Sequence, residues 1–120
     1  MKKVFNEIFK LASKNSEIKI MLYNKNSYKN FLIKQSNYRY EAGKGCPLVN
    51  KIDLNDLEML IKKKFKLIKV QNDFIFPYKI NFYKKNIYKK IEHFDVMPKK
   101  IFEALKKNIG EHMLIHLKKI

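Results

Sequence analysis

Hydrophobic periodicity switches between helical and extended several times along this chain, and every apolar segment is short. No apolar run approaches the ~20 residues of a membrane-spanning helix. The segments must therefore bury their apolar faces on one another. Near the start, Val4, Ile8 and Leu11, flanked by Phe5, Phe9 and Ala12, recur at three and four residues. That spacing predicts a helix over about residues 3–14, ended by Asn15-Ser16. Glu7 and Lys10 interrupt its apolar positions, so it does not read as a secretory signal. Residues 17–23, dense in Ile18, Ile20, Met21 and Leu22, read as a strand. Asn24 to Ser27 is turn chemistry, and residues 28–34 read as a second strand closing a hairpin.

Residues 36–50 read as a loop holding Gly43, Gly45 and Pro47. Asp53 is a good N-cap for a short helix carrying Leu54, Leu57, Leu60 and Ile61. Residues 64–70 look extended, and Gln71-Asn72-Asp73 reads as a turn. Phe74, Phe76, Tyr78, Ile80 and Phe82 alternate with Ile75, Pro77, Lys79 and Asn81, the cleanest period-two stretch, with Pro77 pointing to an edge strand or a bulge. Residues 86–97 fit helix or strand. Pro98 suits a helix first turn, Ile101, Phe102 and Leu105 its apolar face, and Gly110 its exit. Residues 112–118 form a last strand with Met113, Ile115 and Leu117 on one side. The predicted fold is one α+β domain spanning residues 1–120. Its helices would pack on one face of a mainly antiparallel sheet, an incomplete ferredoxin-like arrangement.

Composition narrows the function. The 120 residues carry 27 basic and 11 acidic side chains, a net charge of +16. Folding against that self-repulsion points to an anionic partner. Only Arg39 is arginine, and Lys, Ile and Asn supply 53 residues. Those residues use A/T-rich codons, so part of the lysine excess reflects an A/T-biased gene. The charge is uneven: residues 1–60 are net +5 and residues 61–120 net +11. Lysines cluster at Lys62, Lys63, Lys64 and Lys66, at Lys84-Lys85 and at Lys89-Lys90, interleaved with Phe65, Phe82, Tyr83 and Tyr88. Lysine beside aromatic suits RNA, the ammonium groups meeting phosphate and the rings unpaired bases. The single cysteine, Cys46, allows no intrachain disulfide and suits a reducing compartment.

Catalytic and metal motifs are weak. His112 and His116 lie four apart but on a strand pattern, without the H-E-x-x-H frame. Gly43-Lys44-Gly45-Cys46 lacks P-loop spacing, and Cys46 has no histidine or carboxylate pair near it in sequence. Asp53, Asp56 and Glu58 share one short helix and do not make a facing acid–base pair. No metal and no cofactor is expected.

The stretch Cys46-Pro47-Leu48-Val49-Asn50-Lys51, followed by Asp53, Leu57-Glu58-Met59 and Lys62-Lys63-Lys64, resembles a ribosomal signature. It is that of the small-subunit ribosomal protein S-ten family, S-P-H-V-N-K-x-S-R-E-Q-F-E-x-x-x-H-K-R-L. The fit is gap-free, with Pro47, Val49, Asn50, Lys51, Glu58 and Lys63 identical. Residues 98–117, with Glu103-Ala104-Leu105 and Gly110, are similar to that family's closing helix and strand. The family's first strand and its G-P-I-P-L-P-T segment have no counterpart, Leu48 stands at the motif histidine, and residues 36–45 and about 71–96 look like insertions.

The resemblance implies a non-catalytic constituent of the small-subunit head. Its partners would be rRNA and neighbouring ribosomal proteins, with no membrane and no small-molecule substrate. It also implies an organelle-encoded, mitochondrial-type ribosome, or otherwise a cytoplasmic one. The RNA-contacting residues expected are Asn50, Lys51, Lys62, Lys63, Lys64 and Lys66, then Lys84 and Lys85. Two other classes remain open. One is a small toxin-type ribonuclease using His93, His112 or His116 as acid–base groups. The other is a viral or organellar interaction protein pairing its 74–82 strand with a partner's sheet edge.

Overall fold

A computed structural model describes residues 1–36 and 50–120. The chain forms a small α+β domain on a four-stranded mixed sheet of order β2-β1-β4-β3. The elements are α1 (Lys2–Leu11), β1 (Glu17–Asn24), α2 (Tyr28–Gln35), β2 (Lys51–Ile52) and α3 (Leu54–Ile61). There follow β3 (Phe65–Asp73), α4 (Ile80–Tyr83), α5 (His93–Val96), α6 (Lys99–Ile109) and β4 (His112–Lys119). The last strand inserts between β1 and β3, antiparallel to both, while β2 runs parallel to the end of β1. β1 and β4 thus form the centre, an order not clearly ferredoxin-like.

Alternation explains the core. Met113, Ile115 and Leu117 of β4 are buried beside Ile18, Ile20 and Leu22 of β1 and Leu67 and Val70 of β3. Phe5 of α1 and Leu57 and Ile61 of α3 close over them. Phe65 anchors the aromatic part, with Phe5 at 6.4 Å and Phe9 at 5.6 Å in edge-to-face contact. The expected α1 face is therefore rotated: Met1, Phe5, Ile8 and Phe9 pack inward, whereas Val4 and Leu11 are exposed. Two apolar faces overlap in that helix, and the phenylalanines win because Phe65 offers them a partner. Asp53 caps α3 as expected, accepting from the Asp56 N–H at 2.8 Å while Asp56 accepts from the Asp53 N–H at 3.1 Å.

Three expected elements are overturned. Residues 28–34 are helical, and no hairpin forms. Ser27 Oγ accepts the Asn30 N–H at 3.1 Å, which makes Asn24–Ser27 the entry to α2. The pair β1–β2 is accordingly parallel, joined by a crossover containing that helix. Gln71-Asn72-Asp73 is not a turn; β3 continues through it, ending with Asp73 opposite His112. The chain turns one residue later, at Phe74, whose φ is 63°. Residues 74–82 are not a strand: the adjacent Ile75 and Phe76 are both buried, Tyr78 makes one isolated bridge to Lys90, and Ile80–Tyr83 is a helical turn.

Aromatic packing produces that false alternation. Phe76 meets Tyr78 at 5.5 Å and Tyr83 at 4.9 Å, and Tyr78 meets Tyr88 at 5.3 Å. Tyr28 of α2 meets Phe94, which meets Phe102 of α6. Residues 74–98 thus form a second, aromatic cluster with α2. The ambiguous 86–97 stretch contains only the short helix α5. The loop expected over 36–50, with Gly43, Gly45, Cys46 and the first four positions of the ribosomal signature, falls almost wholly outside the described residues.

Candidate nucleic-acid interface

The turn between α3 and β3 is where the sequence concentrates charge, and the sheet register adds to it. Lys62 and Lys63 are exposed in that turn, and Lys63 holds φ of 64°. Lys66 is exposed on β3 directly opposite Lys118 of β4, and Phe65 stands opposite Lys119. The C-terminal Lys118-Lys119 pair, which sequence reading did not join to this cluster, lies beside it because β4 inserts next to β3. Directly opposed like charges destabilise a strand pair. Among the described residues, Lys62, Lys63, Lys66 and Lys118 have no hydrogen-bond or ion-pair partner.

Other expected contact residues are turned inward. Lys64 donates to Asn6 Oδ1 and lies 6.0 Å from the Phe9 ring. Lys119 Nζ donates to the carbonyls of Phe9 at 2.7 Å and Ala12 at 2.6 Å, capping the C-terminal end of α1. Lys51, half-buried in β2, donates to Asn30 Oδ1 at 2.9 Å. Asn50 is exposed just before it and shares a shallow groove with Lys2, Lys25 and Met59. Lys84 donates to the Ser36 carbonyl at 2.6 Å and Lys85 is exposed beside it. These two belong to the segment packed on α2, not to the α3–β3 turn. The expected set therefore divides into an exposed cluster at Lys62, Lys63 and Lys66, three lysines with structural acceptors (Lys51, Lys64 and Lys84), and Asn50 and Lys85, exposed elsewhere.

The carboxylates are mostly engaged. Lys25 lies 3.6 Å from both Asp53 and Asp56. The Asp56 N–H, and then Lys25, hold the Asp53 carboxyl below its ordinary value. The Phe74 N–H, and then Lys106, do the same for Asp73, and a hydrogen bond from Lys79 lowers Glu92. Glu111 and Lys29 form a largely buried pair at 3.1 Å, with Lys29 also 5.0 Å from the Phe76 ring.

The histidines do not assemble a catalytic pair. His116 Nε2 lies 3.2 Å from Glu17 Oε2, whereas His112 is stacked on Phe74 with ring centroids 5.1 Å apart. Four residues of strand put the two about 13 Å apart. His93 sits exposed in α5 against Phe94. Among the described residues no group of three or more His, Cys, Asp or Glu side chains could hold a metal ion. Nor is any described helix long and apolar enough to cross a membrane. The 74–82 segment offers no strand edge for a partner. No family model matches the chain, and no curated protein or solved structure matches it.

Proposed function

We propose that this chain is a structural, non-catalytic RNA-binding protein whose charged anchor is the α3–β3 turn. The observation that carries the reading is the register of β3 on β4. It brings Lys118 opposite Lys66 at the β3 end of the turn that carries Lys62 and Lys63; none of the four lysines has an ion pair among the described residues, although Glu17 of β1 stands across from Lys118. An anionic polymer would relieve that repulsion. The mechanism is counterion release: each lysine that meets a phosphate displaces condensed cations, giving steeply salt-dependent affinity with little base readout. Lysine makes point-charge contacts, so the cluster suits a folded RNA backbone better than a bidentate motif.

The more specific reading is a divergent S-ten-like protein of an organellar small subunit, bound to rRNA and neighbouring ribosomal proteins in the head. The sequence resemblance supports it, as does the shared sheet of β3 with the α6–β4 unit, since these contain or adjoin the two resembling stretches. The test has two arms. Replacing Lys62, Lys63 and Lys66 together by alanine should flatten the log–log salt slope for a structured rRNA fragment. The expected change is about 0.7 to 0.9 per lysine, roughly 2 to 3 in total. An unchanged slope would sink the RNA anchor. Co-sedimentation with small ribosomal subunits from the source cells, lost in the triple variant, tests the ribosomal assignment separately.

A further inference from the structure

The helices α1 and α3 close over one face of the sheet, and α6 flanks β3. The other face carries a regular array fixed by register. Lys19, His116 and Lys69 stand in one row across β1, β4 and β3; Met21, Leu114 and Gln71 form the next. Lys118 and Lys66 lie beyond the first row, and Tyr23 and His112 beyond the second. Met21 and Leu114 are 44% and 40% exposed. The two rows line a shallow groove of about 530 Å³. At one end the rings continue: Tyr23 lies 6.0 Å from His112, which stacks on Phe74 at 5.1 Å with planes 14° apart.

We infer that this face binds an unpaired RNA strand, the lysines holding its phosphates and the apolar floor and ring stack receiving its bases. The inference rests on the RNA-binding reading above and adds a second surface and a strandedness. Charge complementarity selects the occupant. Lys19, Lys66, Lys69 and Lys118 have no ion pair among the described residues. The two carboxylates on this face are already engaged, Glu17 with His116 and Asp73 with Lys106 at 3.5 Å. A second copy of the chain would bring like charges together. A duplex would present phosphates but hide its bases, leaving Met21, Leu114 and the rings unused.

The experiment compares an oligouridine of about twelve nucleotides, within the range such surfaces cover, with a blunt RNA duplex of the same length. Anisotropy of a labelled RNA reads the binding. Replacing Tyr23 and Phe74 by leucine should weaken oligouridine binding about tenfold or more and leave duplex affinity unchanged. Lys19→Ala with Lys69→Ala should flatten the oligouridine salt slope by about 1.4. Phe74 holds φ of 63° and its ring stacks on His112, so its replacement risks the fold. Met21→Glu, at an exposed site, supplies the safeguard and should abolish oligouridine binding with an unaltered melting temperature.

Unchanged oligouridine affinity in a folded Met21→Glu protein would overturn the inference. So would a preference for duplex that ignores all three face variants. If these variants have no effect while Lys62→Ala with Lys63→Ala still weakens structured RNA, only this second surface falls. If no RNA binds at all, both readings fall together.

Discussion

Replacing Gly110 by alanine separates two explanations of one residue by sign. Gly110 follows α6 and opens into β4, a position where glycine commonly adopts a left-handed backbone. Here its φ is −59° and its ψ 150°, which alanine adopts without strain. If conformational freedom were the only reason for glycine, alanine would stabilise the fold by about 0.4 to 1 kcal/mol, through a less flexible unfolded chain. Space decides otherwise. A Cβ at Gly110 would lie 2.4 Å from the Lys106 carbonyl oxygen and 2.6 Å from that of Asp73, against an ordinary contact of 3.4 Å or more. Both obstacles are backbone, so the end of α6 or of β3 must retreat by nearly 1 Å. Overpacking of that kind costs about 1 to 3 kcal/mol.

The retreat also strains two bonds at this junction: Asn24 Nδ2 donating to the Gly110 carbonyl at 2.9 Å, and the Glu111 N–H donating to Phe74 at 2.8 Å. At about 1 kcal/mol each, the total loss reaches about 3 to 5 kcal/mol. A domain of this length has roughly 6 to 18 kcal/mol to lose. Urea denaturation at 25 °C should show a lower midpoint with an unchanged m-value. The melting temperature should fall by about 10 °C or more. A Gly110→Ala protein as stable as the parent, or more so, refutes the close packing of α6, β3 and β4.

Leu117 is fully buried between Ile18 and Leu67, so Leu117→Ala should destabilise by about 3 to 5 kcal/mol, whereas Leu114→Ala on the opposite face should change stability by less than about 0.5 kcal/mol. Equal losses in denaturation would contradict the assigned faces. Stability should also fall in acid with a definite sign. Asp53, Asp73 and Glu92 have folded pKa values below their ordinary ones. In that window the unfolded chain binds more protons, so their stabilisation is complete above the ordinary carboxylate pKa of about 4. It is lost as pH falls through the lower folded values. Asp53→Asn keeps a capping oxygen but removes one titrating group, so its stability at neutral pH should remain close to the parent's while the acid limb becomes shallower. An identical acid limb would exclude Asp53 from this linkage.

Elements whose signals are local could be read from the chain alone. The Asp53 cap with Asp56 needs only residues within one turn, and it fixes α3. The alternation of Met113, Ile115 and Leu117 fixes the buried face of β4, and Pro98 and Gly110 bracket α6. The exposed lysines at 62, 63 and 66 were legible for the same reason. Tertiary structure decided what short apolar runs leave degenerate. Residues 28–35 carry both strand and helix character, and the Ser27 cap together with packing against Phe94 selects the helix. Residues 74–82 alternate like a strand, yet their rings pack on one another, which no periodicity reveals.

Lys51, Lys64 and Lys84 looked like surface charge, but each side chain has a structural acceptor supplied by a distant part of the chain. Lys118 joined Lys66, and Lys19 joined Lys69, only because β4 inserts between β1 and β3. A strand's own pattern fixes which residues share a face; which neighbour stands opposite depends on long-range pairing. Composition and local patterning thus determined a basic α+β domain with a capped helix and a lysine-rich turn. Register alone created the shared basic edge and the row of lysines, histidines and rings on the face away from the core.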